Sequence, residues 1–336
     1  MESTSSHIPF PDSVQRFWSW WQEYRIEVAR AVATGEQVEQ VAEELTERLG
    51  QVDQRLTWEV GQGDHGSAMV LVVSAGGDPA LRATARRVVL AAPPADAQWA
   101  YTDLKPPKSS GVLSFAGHDL DLDDARVVID EDHTKVHLEV WHPSFAEADE
   151  TLRLQLAFLM LDVAVGEERI ELWVGAVDAL EDEPEGAVPL SRVQRVIDDL
   201  RGSFLGEDGE PGWAGLQGEG PDGPLLARAR VPLSSLVNPL WETHVGITRH
   251  YPDGGSGFPG EEDLELNGRL EDQIMAALGG DGMLQAVETG GGRVLWHCFV
   301  DPLTLVESRL QEVARGHGAM ITVEPDPEWD AVRHLR

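Results

Sequence analysis

Trp241-Glu-Thr-His-Val-Gly-Ile-Thr-Arg249 alternates along its length, with Trp241, Thr243, Val245 and Ile247 on one side. This is the period-two pattern of a half-buried strand. After the loop Tyr251–Gly260, Leu266, Leu270, Ile274 and Leu278 recur every fourth residue and form one helical stripe. Glu261, Glu262 and Asp263 fall in the first turn, where exposed amides favour negative charge, and Gly279-Gly280 supplies a stop. Met283–Glu288 and Arg293–Val300 are the next two strands, joined by Thr289-Gly-Gly-Gly292. Val294, Trp296, Cys298 and Val300 share a face of the second. A helix is expected from Asp301 as cap and Pro302 as first residue, buried through Val306, Leu310 and Val313, and Met320–Val323 closes the series as a strand. The order βαββαβ predicts a ferredoxin-like module over 237–336, an antiparallel sheet with both helices on one face.

Three stretches carry a resemblance: Tyr251-Pro-Asp-Gly-Gly-Ser-Gly-Phe-Pro-Gly-Glu-Glu262, then Leu270-Glu-Asp272, and the ending Glu324-Pro-Asp-Pro-Glu-Trp-Asp330. With the glycine-rich hairpin, they resemble the bacterial domain-of-unknown-function family six-nine-five. More distantly, they are similar to the module of the regulator of ribonuclease E activity B. The similarity covers roughly the last hundred residues and is mostly structural in its motifs. It implies no catalytic residue; from the distant relative it implies regulation by binding.

Working outward, the preceding chain predicts an N-terminal mixed α/β-layer region over 1–202, divisible into 1–105 and 111–202, so the whole protein is expected to be α+β. Phe17, Trp21, Tyr24 and Val28 mark one face of a helix over 13–33, with Trp18 and Trp20 beside them. The helix has few basic residues for a membrane anchor, and packing against the protein itself is the expectation. A second helix is expected over 38–49, strands at 56–60, 69–74 and 98–101, and a helix at 79–91. Lys105–Gly111 is a connector. Beyond it come a hairpin over 127–141, a helix over 146–165, a strand over 169–174 and a helix over 191–200. Residues 203–236, rich in Gly, Pro and acids, are expected to be a linker before the terminal module.

The 336 residues carry 59 acids against 26 bases, for a net charge of −33. Residues 241–336 hold 17 acids and 7 bases, so the acidity is general and not confined to a tail. Such a surface repels nucleic-acid backbones and anionic membranes and suits a basic protein partner. One cysteine allows no disulfide, Met1–Ser6 has neither a basic nor an apolar run, and the apolar stretch Leu156–Val165 is short of a membrane span. These features point to a cytoplasmic protein.

Candidate chemistry is sparse. His133, His137 and His142 lie close together with acids; a metal held by His137, Glu139 and His142 would use imidazole and carboxylate ligands. The spacing fits no zinc signature, and Val136, Leu138 and Val140 explain the segment as a strand with one solvated face. Asp162, inside an apolar helix, is a candidate acid or base, with neutralisation by Arg153 or Arg169 as the structural alternative. The glycine loops at 254–257, 279–282 and 290–292 lack the Lys-Ser/Thr that follows a phosphate-gripping loop. Cys298 is expected in the core, and Trp213 is the one tryptophan placed for partner contact. No catalytic residue, cofactor or metal is assigned. The favoured function is a non-catalytic interaction or regulatory protein. The rivals are a hydrolase or metal-dependent enzyme with a site at the domain junction, and a small-molecule sensor.

Overall fold

A computed structural model describes residues 10–63, 66–108, 110–206, 209–220, 223–252 and 254–336. Met1–Ser6, Asp64 and His65 of the first glycine loop, and Asp253 of the loop after Tyr251 lie outside the described residues. The protein is α+β, and the chain divides into two compact units, Met1–Leu104 and Lys105–Arg336.

In the first unit, α1 (Phe10–Thr34) and α2 (Val38–Gly50) precede β1 (Thr57–Gln62), β2 (Met69–Ser74), α3 (Arg82–Leu90) and β3 (Trp99–Thr102). The helix expected over 79–91 opens with a 3₁₀ turn at Pro79–Leu81, whose Asp78 side chain accepts the Ala80 amide. β1 and β2 are antiparallel, β2 and β3 parallel, with α3 in the crossover. Val14, Phe17, Trp18, Trp21 and Val28, at positions i, i+3, i+4, i+7 and i+14 along one face of α1, are buried with Leu45, Leu71 and Trp99. The two buried indoles of α1 find partners within this core: Trp18 Nε1 donates to the Val88 carbonyl at 2.8 Å and Trp21 Nε1 to the Tyr101 hydroxyl at 3.0 Å. This satisfaction is what lets large amphipathic rings be fully buried.

The second unit begins with the hairpin β4 (Val112–Phe115) and β5 (His118–Asp121). It continues through β6 (Arg126–Glu131), β7 (Val136–Trp141), α4 (Glu150–Val165), α5 (Glu167–Trp173), β8 (Val174–Leu180), β9 (Val188–Pro189) and α6 (Arg192–Ser203). β8-β7-β6-β9 form one four-stranded sheet, with β7 and β8 parallel. The expected helix over 146–165 is a 3₁₀ turn at Pro143–Glu147 followed by α4, whose cap is Asp149 accepting the Leu152 amide at 2.9 Å. The strand expected over 169–174 is a correction: residues 167–173 are helical. Glu167 and Glu168 sit in the first turn of α5, and Leu172 and Trp173 are its buried residues. The alternation of Ile170, Leu172 and Val174 concealed that turn.

The remaining elements are β10 (Trp213–Gly220), β11 (Gly223–Arg230), β12 (Thr243–His250), α7 (Glu261–Leu278), β13 (Gly282–Gly290), β14 (Arg293–Val300), α8 (Val306–Gly316) and β15 (Met320–Pro325). They form a single six-stranded sheet in the order β10-β11-β13-β14-β12-β15, antiparallel throughout. The segment expected to be a linker over 203–236 therefore supplies two strands. Its low apolar content reflects an outer strand, β10, exposed on both faces over most of its length, which needs few buried side chains, and β11 is mostly half-buried. β11 reaches β13 closely because Gly290 has no side chain: a Cβ there would lie 2.4 Å from the Pro224 carbonyl oxygen.

One face of this sheet meets α7 and α8, burying Val245, Ile247, Trp296 and Cys298 with Leu270, Ile274 and Leu310. The helix expected from Pro302 starts four residues later, at Val306, because Asp301 instead caps a turn by accepting the Leu303 amide. The other face is covered by Trp329 and the 3₁₀ strap Asp330–Leu335, which bury Phe299, Ala286 and Ala229. Trp241 lies just before β12 and packs in this second cluster, not beside Val245 and Ile247. Trp329 stacks on Phe299 with ring centroids 4.5 Å apart and donates Nε1 to the Trp241 carbonyl at 2.8 Å.

Candidate functional site

His137, Glu139 and His142 do not come together. β7 has the burial pattern of an alternating strand, and His142 continues it in extended conformation (φ −147°, ψ 146°). Even positions from Val136 to His142 are buried, whereas Glu139 is exposed and His137 half-buried. Strand parity thus sets His142 on the opposite face from the other two. His137 is fully used: Nδ1 accepts the Ala176 amide at 2.9 Å, so Nε2 carries the proton and donates to Asp132 Oδ2 at 3.0 Å. The Thr134 amide, His137 and the Lys135 amide together hold the Asp132 carboxyl down at about 2. His142 Nδ1 accepts the Ser144 amide at 3.1 Å, and burial pushes its pKa down, as for a neutral core histidine. Among the described residues, no group of three or more His, Cys, Asp or Glu side chains has the placement to hold a metal ion.

Asp162, the other sequence candidate, is half-buried in α4 and engaged in an interaction. Nearby Glu167 has its pKa raised by burial, opposed by the Lys105 amide 3.3 Å from its Oε2. Cys298 is wholly buried under α7 and α8, and burial pushes its thiol far above the ordinary range, so it is inert as a nucleophile.

The histidines that do converge lie on the strap-covered face of the six-stranded sheet. His244 of β12 and His297 of β14 are 5% and 3% exposed, with His244 Nε2 and His297 Nδ1 3.0 Å apart and ring planes inclined by 28°. His297 Nε2 meets Glu288 Oε1 of β13 at 2.9 Å, and the same oxygen is 3.0 Å from His334 Nε2 on the strap. At the far end, His244 Nδ1 lies 3.4 Å from Glu324 Oε1 of β15 but forms no hydrogen bond. Two local features build this line. Gly246, opposite His297, leaves room for the rings; a Cβ there would lie 3.2 Å from His244 Cε1 and 2.7 Å from Thr322 Oγ1. A bulge at Gln285 inserts one residue between the pairs Leu284–Cys298 and Ala286–His297, which turns Ala286 and Glu288 to the strap face.

The electrostatics follow from burial. The hydrogen bond from His297 is the main influence holding the Glu288 pKa below the ordinary carboxylate value, against the cost of burial. Burial, with His297 adding to it, holds the His244 pKa below its ordinary value, while Glu324 and Asp326 oppose. Both inner rings are closed off from solvent, and the well-exposed members of the line are Glu324 and His334.

A second candidate is the sheet edge. Among the described residues β10 has one strand neighbour, and along it and β11 Trp213, Leu216 and Leu226 are exposed at 36%, 38% and 44%. Arg228 and Arg230 sit over the Trp213 ring, 4.5 and 4.7 Å from its centroid. Both are already engaged, Arg228 with Glu271 and Arg230 with the Pro211 carbonyl. A cavity of about 140 Å³ lined by Trp173, Arg201, Pro211 and Val237 lies elsewhere in the same unit. It is below the roughly 300 Å³ at which ligand pockets begin. No helix among the described residues is long and apolar enough to cross a membrane.

Compared with known proteins, the chain matches no family, no curated protein and no solved structure.

Proposed function

We propose that this is a non-catalytic interaction or regulatory protein of the cytoplasm, which works by docking a protein partner at the β10 edge of its six-stranded sheet. The observation that carries the reading is the edge itself: an eight-residue strand, exposed over most of its length, with a single strand neighbour among the described residues, and with Leu216 exposed on one face of the hairpin and Leu226 on the other. Such an edge offers a row of free backbone donors and acceptors to an incoming strand, and the exposed apolar side chains give that strand something to bury. Net charge of −33 favours a basic partner over nucleic acid and accelerates the encounter. In this reading β12 to β15 with α7 and α8 are a ferredoxin-like core, in the order β13-β14-β12-β15, to which β10 and β11 add a docking hairpin. The resemblance to family six-nine-five and to a regulator that acts by binding points the same way.

The test is co-purification from a native lysate at low and moderate salt, comparing the natural chain with a Leu216→Asp/Leu226→Asp variant. A stoichiometric partner held by the first and lost by the second is expected. Recovery of no stoichiometric partner at either salt, or equal recovery by both chains, contradicts the proposal.

A further inference from the structure

The line Glu324–His244–His297–Glu288 has a proton count fixed by its geometry. A Glu288 carboxylate only accepts, so the proton between it and His297 belongs to His297 Nε2. A neutral His297 then has a bare Nδ1, which can only accept, and the 3.0 Å contact to His244 requires the proton on His244 Nε2. A neutral His244 is therefore bare at Nδ1, where it faces Glu324 Oε1 across 3.4 Å: two acceptors with no proton between them. This explains why a 95% buried imidazole keeps an unpartnered nitrogen.

One added proton completes the line. His244 Nδ1–H then donates to Glu324, and the positive charge sits on either ring according to the position of the proton in the nitrogen–nitrogen bond. A second is excluded, because two imidazolium rings would set N–H against N–H at 3.0 Å and place two cations in a buried site. We propose that the His244–His297 pair is a one-proton switch: on protonation it recruits the exposed Glu324 carboxylate and ties edge strand β15 to the sheet interior. Among the described residues β15 pairs with β12 alone, and it leads directly into Asp326, whose carboxylate anchors the strap by accepting the Asp330 and Ala331 amides at 2.8 and 2.9 Å. The switch thus acts at both the second open edge and the root of the strap.

The surrounding charges are few. Glu288, Glu324 and Asp326 favour the cation; His334 meets Glu288 from the strap. Asp330 pairs with Arg333, and Arg336 bonds the Glu328 and Trp329 carbonyls. β11 turns Arg228 away toward Glu271 of α7, and Glu242 before β12 is engaged. Burial opposes charging of His244, so the switch operates on the acid side of the ordinary histidine value of about 6.5.

The experiment is an imidazole ¹⁵N titration by NMR of the full chain from pH 8 to pH 5, with amide exchange of β15 followed in parallel. At pH 8 both His244 and His297 are expected as Nε2–H tautomers. On acidification the pair takes up one proton, and exchange at Val323 and Glu324, corrected for intrinsic rates, slows. Glu324→Gln, at a side chain 63% exposed, keeps the fold and the pH 8 tautomers. It is expected to weaken proton uptake by about threefold or more and to abolish the slowing. Independent titration of both rings, an Nδ1–H tautomer of His244 at pH 8, or a Glu324→Gln chain that titrates and exchanges like the natural one overturns the proposal.

Discussion

One face of the six-stranded sheet carries Val245, Ile247, Trp296 and Cys298 under two helices, whereas the other carries His244, His297 and Glu288 under a single 3₁₀ strap. Both faces are buried, but the first is held mainly by apolar contact, with Glu271 of α7 accepting from Trp296 Nε1 and Arg249 bonding Asn267 and Asp263 at its margin, and the second by an aromatic stack plus a polar line. The difference teaches where this sheet can respond to its surroundings. Apolar packing is insensitive to pH, while every proton entering or leaving the second face changes a hydrogen bond.

The largest effect expected in this comparison is on the strap. Trp329→Ala removes a wholly buried ring, its stack on Phe299 and its bond to the Trp241 carbonyl, and should cost about 3–5 kcal/mol in denaturant unfolding of the second unit. A loss under about 1 kcal/mol would mean that the strap is only loosely laid on the sheet. On the helix face, Leu270→Ala, also wholly buried, should cost about 3 kcal/mol with no dependence on pH. Glu288→Gln, which keeps one oxygen to accept from both histidines but removes the charge that strengthens those bonds, should cost about 1 kcal/mol at pH 7.5, measured the same way.

The pH dependence separates the faces further. The folded-state pKa of His244 is below its unfolded value, so the unfolded chain takes up its proton first as pH falls. Stability therefore falls below about pH 6.5 and levels off once the folded pair is charged. Glu288 is depressed as well, so a second loss begins as pH drops below its unfolded value and continues toward its lower folded one. Urea midpoints of the natural chain at pH 7.5, 6, 5 and 4 should fall in those two windows, and in Glu288→Gln the lower one should shrink. The smallest effect lies at the edge: Leu216→Asp, at an exposed position, should change stability by no more than about 0.5 kcal/mol.

The same contrast explains how much was legible in the sequence. The helix face was readable, because Leu270, Ile274 and Leu278 and the alternation of Val294, Trp296 and Cys298 follow simple periods and are buried as those periods require. The histidine face was not. Simple alternation sets Glu288 on the side of Leu284, and only the extra residue at Gln285 reverses it toward His297, a change no hydropathy pattern announces. His244 and His297 are 53 residues apart, and the apolar cover that buries them comes from Trp329 and Val332, beyond the last strand. The available signal was parity: both histidines sit out of phase with the apolar residues of their own strands. The cluster His133, His137 and His142 drew attention by closeness along the chain, yet an odd spacing between His137 and His142 separates them across a strand. The outer strand β10 was hidden for the opposite reason, since a strand exposed on both faces need not look apolar.

The most direct test of the docking proposal is site-specific photo-crosslinking in native lysate, with a photoreactive residue at Leu216 on the β10 edge and, as the comparison, at Ile26, which is 65% exposed in the first unit. Docking at the edge predicts a discrete crosslinked partner from position 216 and none from position 26. No crosslink at 216, or the same products from both positions, would contradict it.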